Sequence, residues 1–379
     1  MGEDVRVLTA ARALTDEMVN ATGVLVTTES PSSDIDSCRR VLDVAADLTA
    51  TWTGTAPSIR DHQGNPVLIW GPAEPRILLL GHLDTVWPIG TLDRLPWTCD
   101  GTRLTGPGVF DMKAGIVQAL AALRLLGVGP ADGVGVLITT DEELGSLRSR
   151  DLIESTARGC DAVLVFEAAI GEALKTGRKG TSWYDIEITG RAAHAGLDPE
   201  RGINALVEAA TLVHDLVSYA DPAQGTTVTP TLARAGVTSN TVPDHAFIGV
   251  DVRAWSAHEQ QRVDDLVRAW RPQQVDATVA ITGGGINRPA MEEVRAAELF
   301  ARAARCADAL GLAPVKGRAV GGASDGNFTA ALGVATLDGL GAVGDGAHAD
   351  HEWASVPHMP ERAALVAALM SDILSGSRP

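Results

Sequence analysis

The sequence has few cysteines, no long apolar run and no surplus of basic residues. Four cysteines are scattered over 379 residues without a CxxC pair, which argues against a disulfide framework and a thiolate zinc site. No apolar run approaches the length that spans a bilayer. The N-terminus lacks the basic segment, apolar core and small-residue cleavage site of a secretion signal. The expected location is therefore the cytoplasm.

Positive charge is scarce. Lysine and arginine total 31 against 48 aspartates and glutamates, so the formal net charge is −17. Nucleic acids and anionic membranes bind positive surfaces, and neither is an expected partner. The acidic surplus is interpreted as a contribution to solubility, which does not exclude a local basic pocket.

A chain of 379 residues predicts two domains.

The first part of the chain alternates between two apolar patterns. Helical spacing and short strand-like runs follow one another, with helices predicted at 10–26, 36–48 and 112–126 and strands at 66–70, 77–80, 135–140 and 162–166. Continuous apolar runs separated by helices are typical of parallel strands buried on both faces. We therefore predict an α/β fold with a mixed, largely parallel sheet and helices on both faces.

The pattern changes near residue 176. Half-exposed alternation and amphipathic spacing predict strands at 181–190, 245–255 and 277–281 and helices at 202–219 and 257–270. These elements would form a small sheet with helices on one face, and the glycine run 283–285 is interpreted as an exit hinge. The predicted organisation is a first domain at 1–177 and 287–379, interrupted by an inserted α+β domain at 178–286.

Acidic residues and a histidine gather where the predicted strands end. Four segments deliver them: His82 and Asp84, then Asp111, then Asp141, Glu142 and Glu143, then Glu167. In an open α/β sheet, ligands bind outside the carboxyl ends of the strands. Each segment alone has an ordinary explanation, such as a turn, a solvated acid pair or a helix N-cap. Together, crowded carboxylates repel one another unless a cation neutralises them. Histidine and carboxylate ligands without thiolate suit catalytic zinc, with cobalt or manganese as alternatives.

The motifs that carry these residues resemble those of a known family. GHLDTV (81–86), GPGVFDMKAG (106–115), TTDEELGS (139–146) and FE (166–167) are similar to motifs of the co-catalytic zinc aminoacylases and carboxypeptidases, peptidase family M20. The resemblance points to the glutamate carboxypeptidase (carboxypeptidase G-like) branch. It continues in family order through GRAAHAGLDPERGINAL, SNTVPDHAFIGVDVR, NRPAM, GGASDG and GAHADHEW. It implies a zinc-exopeptidase-like fold whose inserted domain is a ferredoxin-like dimerisation domain.

The resemblance also implies two zinc ions per chain and assigns their ligands. Asp111 would bridge both ions, and the other ligands would be His82, Glu143, Glu167 and His348. It further implies a cis peptide bond between Asp111 and the following methionine.

Three more residues take part in the predicted metal centre or compete for a place in it. Asp84 would accept the second ring N–H of His82 and fix its tautomer. Glu142 would be the general base that takes a proton from the metal-activated water. His351 is a rival of His348, and we expect it to be exposed.

The resemblance assigns substrate contacts in and beside the inserted domain. His194 would stabilise the tetrahedral oxyanion across a homodimer. The alternative interpretation is a loop histidine that forms only backbone hydrogen bonds. Asn240, and backbone at Gly321 and Gly322, would contact substrate. Arg288 would grip the terminal carboxylate with two parallel hydrogen bonds, a solvated hinge arginine being the alternative.

Two basic residues, Arg178 and Lys179, lie at the predicted domain junction. They are interpreted as part of a solvated linker, and a contact with substrate is the less favoured alternative.

The predicted function is amide hydrolysis by a zinc metallopeptidase. The enzyme would release a C-terminal amino acid, and the resemblance to the glutamate carboxypeptidase branch implies that this is glutamate. Glu167 favours such an enzyme, because the carboxypeptidase and deacylase branches resemble this chain in having glutamate at that position. An N-acyl-amino-acid deacylase or a dipeptidase in a biosynthetic pathway is the alternative within this class. A metal-free binding protein on the same scaffold is a remote alternative. A nucleotide-dependent enzyme lacks support, because the glycines before Asp111 fail the GxGxxG spacing.

Overall fold

The protein folds into two compact units. The computed structural model describes residues 3–376. The first unit contains the chain up to Gly177, Glu292–Val320 and the chain from Ser324 onward, and the second contains Arg178–Met291 and Gly321–Ala323. None of the described helices is both long and apolar enough to cross a membrane.

The helices and strands of the described residues are numbered in chain order. The helices are α1 Glu3–Ala13, α2 Thr15–Thr27, α3 Ile35–Thr53, α4 Ala114–Leu126, α5 Arg150–Ala157, α6 Ala205–Ser218, α7 Ala257–Ala269, α8 Ala297–Ala309, α9 Gly326–Ala331 and α10 His358–Ser375. The strands are β1 Ser58–His62, β2 Asn65–Trp70, β3 Ile77–His82, β4 Thr98–Cys99, β5 Arg103–Thr105, β6 Val134–Thr139, β7 Ala162–Val165, β8 Leu174–Arg178, β9 Gly180–Thr189, β10 Ala193–His194, β11 Thr227–Ala235, β12 Thr241–Val242, β13 His245–Ala254, β14 Thr278–Arg288, β15 Gly317–Val320, β16 Thr336–Leu337, β17 Gly344–Asp345 and β18 Trp353–Ser355.

The main sheet of the first unit has the strand order β1-β2-β6-β3-β7-β16. The pairs β6·β3, β3·β7 and β7·β16 are parallel, whereas β1 and β2 add an antiparallel edge. Every residue of β3 and β6 is buried, because both faces of the sheet are covered. Leu78 and Leu80 pack in one cluster with Ile153 of α5 and Phe328 of α9. Leu79 lines a small cavity on the other face with residues of α4. The predicted mixed sheet with helices on both faces is confirmed.

Two predicted helices begin or break differently in the structure. The single helix predicted at 10–26 is two helices, α1 and α2, separated at Leu14. The helix predicted from Met112 begins at Ala114, because Asp111 and Met112 have non-helical backbone angles. The peptide bond between Asp111 and Met112 is cis, as predicted.

The second unit is an antiparallel sheet covered by helices on one face. The strand order β11-β13-β9-β14, with α6 after β9 and α7 after β13, is the ferredoxin-like βαββαβ arrangement. Apolar residues of β9 and β13 pack against both helices in one core, which includes Tyr184, Leu212, Val250 and Val263. The predicted ferredoxin-like α+β architecture is confirmed.

The predicted exit hinge at 283–285 is wrong, because these glycines lie inside β14 and pair with β9. Gly284 shows why the run is glycine. Its φ is +90°, and a Cβ at this position would lie 1.9 Å from the backbone oxygen of Trp183. Glycine therefore permits close approach of two strands here, rather than ending the strand.

Candidate metal centre and active site

Three neighbouring parallel strands end at the candidate site. His82 is the last residue of β3 and lies opposite Thr139, the last residue of β6. Glu142 and Glu143 follow β6 after a short turn, and Glu167 follows β7. The register of the sheet thus brings these side chains to one edge, as the positions of the apolar runs predicted.

His82 is held so that one ring nitrogen points at carboxylates. Its Nδ1 lies 3.0 Å from the backbone oxygen of Asp84 and 3.3 Å from Asp84 Oδ1. Its Nε2 lies 3.4 Å from Asp111 Oδ1 and 3.6 Å from Glu167 Oε1. Among the described residues this buried Nε2 has no hydrogen-bond partner. A buried nitrogen that faces only carboxylate oxygens is suited to bind a cation.

Asp111 lies between two histidines. Its Oδ1 faces His82 Nε2, and its Oδ2 lies 3.4 Å from Nε2 of His348. The same nitrogen of His348 is 3.2 Å from Oε1 and 3.1 Å from Oε2 of Glu143. Each oxygen of Asp111 therefore faces a different imidazole. A carboxylate that bridges two metal ions needs its oxygens to face two different sets of ligands.

His351, the rival of His348, is exposed, as we expected.

Asp84 orients both the histidine and the acid pair. Its fully buried carboxylate accepts hydrogen bonds from Ser32 Oγ at 2.7 Å and from the backbone nitrogens of Glu143 at 3.1 Å and Glu142 at 3.3 Å. One carboxylate thus ties the end of β3 to the segment after β6. The sequence predicted that this carboxylate accepts the second ring N–H of His82, whereas Nδ1 lies closer to the backbone oxygen of Asp84, at 3.0 Å, than to Oδ1, at 3.3 Å. Sequence reasoning missed the contacts of Asp84 with Ser32 and the acid pair.

The charges of the cluster favour a positive charge on both imidazoles. Burial alone would lower the pKa of His82, but Asp111, Asp84 and Glu167 raise it well above its ordinary value. Asp111 and Glu143 raise the pKa of His348 to about 10. Burial would raise the pKa of Asp111, yet His348 and His82 lower it far below its usual range. A divalent cation would supply the same positive charge.

The donor atoms form two candidate metal-binding groups, and His82 belongs to both. Ligand atoms of His82, Asp111 and Glu143 lie within 4.8 Å of one another, as do those of His82, Glu142 and Glu167. Imidazole nitrogen and carboxylate oxygen are the ligands of catalytic zinc sites. The geometry also brings Glu142 within reach of the cluster.

Lys175 is a functional candidate that sequence reasoning missed. Its Nζ lies 3.8 Å from Glu167 Oε2, and its side chain is largely buried. Lys175 lies on β8, eight residues after Glu167. No spacing or motif marks that contact, because it depends on the path of the loop between the two residues.

The second unit brings His194 and Asn240 together. His194 pairs with Thr241 in a two-stranded ladder, and the backbone oxygen of Asn240 accepts a hydrogen bond from the nitrogen of Ala195 at 2.9 Å. His194 is exposed, and its Nδ1 accepts a hydrogen bond from the nitrogen of Gly196 at 3.1 Å. A neutral imidazole that accepts at Nδ1 carries its proton on Nε2. His194 can therefore donate a hydrogen bond from Nε2.

Two arginines at the predicted domain junction are buried. Arg178 is 3% exposed and Arg288 is 7% exposed, so the interpretations of both as solvated residues are wrong. Arg178 donates a hydrogen bond to the backbone oxygen of Gly322 at 3.0 Å. A Cβ added at Gly321 or Gly322 would meet no described atom within 4 Å. Packing does not require glycine there, and both positions leave room for a ligand.

Comparisons with known proteins agree with the motifs. The model of peptidase family M20/M25/M40 matches residues 78–372. Carboxypeptidase G2 of a Pseudomonas species is 34% identical to this chain over 81% of its length and 76% of that protein. A probable carboxypeptidase of Aspergillus terreus is 29% identical over 52% of this chain. The chain spans about half the length of that fungal relative, 49%.

Solved structures show the same fold at low sequence identity. The aminopeptidase PepT of Bacillus cereus has a TM-score of 0.74 and 19% identity, over 95% of this chain and 98% of that one. An M20 metallo-carboxypeptidase of Sulfolobus solfataricus has a TM-score of 0.65 and 15% identity, over 99% and 100% of the two chains. A dinuclear metal-binding M20 peptidase of Bacillus subtilis has a TM-score of 0.62 and 15% identity, over 96% and 99%.

Proposed function

Because this chain belongs to peptidase family M20/M25/M40 and is a metallopeptidase, we propose that it is a di-zinc carboxypeptidase that releases C-terminal glutamate from N-acyl or peptidyl substrates. The observation that carries the proposal is the position of Asp111, whose two oxygens face His82 and His348. The similarity to carboxypeptidase G2 supports a carboxypeptidase. Glutamate as the released residue rests on the resemblance of the motifs to the glutamate carboxypeptidase branch.

The ligands divide into two sets that share Asp111. His82, Asp111 and Glu167 would hold one zinc ion, and Asp111, Glu143 and His348 would hold the other, as the distances around the two imidazoles suggest. When bound, the two ions would polarise the scissile carbonyl and lower the pKa of the attacking water.

Glu142 is the proposed general base. The water oxygen bonds to the carbonyl carbon while Glu142 takes its proton. Glu142 then gives that proton to the amide nitrogen as the carbon–nitrogen bond breaks. The Glu142 side chain is buried, and its backbone nitrogen donates to Asp84. Asp84 thus helps to fix the position of the base.

Arg288 is the proposed partner of the substrate's terminal carboxylate. A guanidinium grips a carboxylate with two parallel hydrogen bonds, and burial strengthens that contact. Asn240 and the backbone at Gly321 and Gly322 would complete the substrate contacts. The open space around both glycines supports their part of the proposal.

His194 is the proposed oxyanion donor, acting across a homodimer. Its exposed position and the proton on Nε2 suit a group that serves a partner copy. The inserted unit has apolar residues for such an interface, since Leu206, Val207 and Val217 of α6 and Leu232 of β11 are exposed.

A metal count combined with an activity assay tests the proposal. We would measure zinc per chain and the release of free amino acid from N-acyl-glutamate, folyl-glutamate and simple N-acetyl amino acids. Wild type, Glu142→Ala and the surface control Glu293→Ala would be compared. The expected result is two zinc ions in all three proteins and loss of turnover only in Glu142→Ala.

Each other outcome corrects a specific part of the proposal. Loss of a zinc ion in Glu142→Ala would make Glu142 a ligand rather than the base. Turnover confined to neutral N-acetyl amino acids would indicate a deacylase. No zinc and no turnover in wild type would overturn the hydrolase proposal.

A further inference from the structure

Glu352 is a buried carboxylate surrounded by N–H donors. Its Oε2 accepts hydrogen bonds from Trp87 Nε1 and the backbone nitrogen of Gly108, both at 2.9 Å. Its Oε1 accepts from the backbone nitrogens of Phe110 at 2.9 Å and Asp111 at 3.1 Å. The residue is fully buried. Burying a carboxylate is costly, and four donors offset that cost.

Three of these donors belong to the turn that carries Asp111. Asp111 has non-helical backbone angles, φ −118° and ψ 92°, and α4 begins only at Ala114. The helix ladder therefore does not hold the Asp111 N–H, whereas Glu352 accepts it. Glu352 thus accepts hydrogen bonds from three backbone groups of the turn from which the Asp111 side chain projects.

Glu352 also belongs to the segment that carries His348. Both residues lie between β17 and β18, and Glu352 directly precedes β18. β18 pairs with β5, which leads into the Asp111 turn. Arg94 links the Trp87 segment to the segment that carries His348 and Glu352. Its guanidinium lies 5.1 Å from the centroid of the Trp87 ring and forms an ion pair with Asp350. The Glu352 carboxylate thus connects the segment that carries His348 to the backbone of the turn that carries Asp111.

We propose that Glu352 is a positioning residue that sets the distance between Asp111 and His348 and so enables one carboxylate to serve two cations. The inference rests on the proposed di-zinc function, because it assigns Glu352 a role toward that same site. Glu352 does not touch the reacting atoms, and its effect passes through the backbone of Asp111.

Glu352→Gln is the direct test. Glutamine keeps the volume, but its amide NH₂ would face two N–H donors and leave them without an acceptor. We expect the affinity of the protein for its second metal ion to fall by about 10- to 100-fold, the range for residues that orient metal ligands. We expect kcat to fall and KM to change little, because Arg288 is untouched.

A matched control separates positioning from general stabilisation. Glu208 of α6 is also a buried carboxylate, and it accepts from the backbone nitrogens of Gln273 and Gln274 at 2.8 Å. Glu208→Gln should lower the midpoint of thermal unfolding without changing metal affinity. Trp87→Phe removes one of the four donors and keeps an aromatic ring, so it should weaken metal binding less than Glu352→Gln.

The measurement is titration of metal-stripped full-length protein with Zn²⁺ against a chelating indicator, together with the visible spectrum of the Co²⁺-loaded protein. Weaker binding and an altered Co²⁺ spectrum in Glu352→Gln, with neither in Glu208→Gln, would support the proposal. Wild-type affinity and spectrum in Glu352→Gln would overturn it, even if the variant unfolds earlier.

Two further outcomes are distinguishable. If Glu352→Gln does not fold, Trp87→Phe decides, since reduced affinity supports the role and wild-type affinity rejects it. If wild type itself binds no metal ion, the proposed function fails and the positioning role falls with it. A wild type that binds two ions beside an unaffected Glu352→Gln rejects the positioning role alone.

Discussion

Glu143 and His348 meet at the candidate metal centre, although 205 residues separate them in the chain. Nε2 of His348 lies 3.2 Å from Oε1 and 3.1 Å from Oε2 of Glu143. The carboxylate follows β6, whereas the imidazole lies between β17 and β18. This pair joins two distant segments of the first unit at one site, and it provides the first prediction.

His348→Ala should abolish binding at one of the two proposed metal positions. The substitution would leave the carboxylates of Asp111 and Glu143 without the imidazole between them. We expect hydrolysis to fall by more than about 100-fold, beyond the usual effect of losing a residue that only orients a ligand. His351→Ala is the control, because His351 lies three residues further along the same segment, whereas it is His348 that contacts Asp111 and Glu143. Zinc content and kcat/KM of both variants are the measurements, and equal losses would reject the assignment of His348.

Asp84→Asn should weaken metal binding more than Ser32→Ala. The asparagine side chain would keep one acceptor oxygen, while its NH₂ would replace an oxygen that accepts from Ser32 or the acid pair. Residues of this kind alter metal affinity or activity by about 10- to 100-fold. Ser32→Ala removes one hydrogen bond worth about 1 kcal/mol, so its effect should stay below about tenfold. Competitive zinc titration measures both, and a larger effect in Ser32→Ala would contradict the role of Asp84.

Arg288→Met should reduce kcat/KM for substrates with a free terminal carboxylate. A hydrogen bond to a charged group is worth about 1.5 to 3 kcal/mol, which corresponds to roughly a 10- to 150-fold loss. Arg288→Lys should recover part of it, because lysine keeps the charge but loses the two-pronged grip. The control substrate is the same compound with an amide in place of the carboxylate. A loss that is equal for acid and amide would place Arg288 outside carboxylate recognition.

Mixing two inactive variants tests the role of His194 across a dimer. Glu142→Ala and His194→Ala should each lose turnover. If His194 serves the partner's site, each heterodimer contains one site with an intact Glu142 and an intact His194. Activity should therefore return after subunit exchange, and sedimentation should show a dimer. A fully active monomer, or no recovery after demonstrated exchange, would contradict the proposal.

The ion pair between Arg262 and Glu259 should stabilise the second unit in a pH-dependent way. Arg262 donates two hydrogen bonds of 2.8 Å to Glu259, and these bonds lower the pKa of Glu259 to about 2, from an ordinary value of 4.5. Because the folded pKa lies below the unfolded one, the stabilisation is complete above about pH 4.5 and is lost as the pH falls toward about 2. Arg262→Leu should lower the free energy of unfolding by about 1 kcal/mol at neutral pH. The difference from wild type should shrink at about pH 3.

Arg271→Leu is the control for that prediction, because Arg271 donates to the backbone oxygens of Arg268 and Trp270. Its effect on the midpoint of thermal unfolding should not depend on pH. A constant difference between wild type and Arg262→Leu from neutral to acidic pH would show that Glu259 does not contribute through its charge.

The sequence alone determined the class of fold and the edge of the sheet where the candidate site lies. The run at β3 is apolar at every position from Ile77 to Leu80 because both faces of the strand are covered, by α5 and α9 on one side and α4 on the other. Such runs predict parallel strands, and parallel strands end together. His82 and Glu167 could therefore be placed at one edge from the sequence, and the motifs around them indicated the family.

Only the tertiary structure decided which side chains touch. Periodicity reports which face of an element is buried, and it contains no distance between segments far apart in the chain. The contacts of His348 with Glu143, of Lys175 with Glu167 and of Glu352 with the Asp111 turn depend on loop paths. The glycine run in β14 likewise looked like a hinge, because its close approach to Trp183 exists only once β9 and β14 pair. Local sequence fixes which residues are available for the site, whereas strand register and packing fix the distances between them.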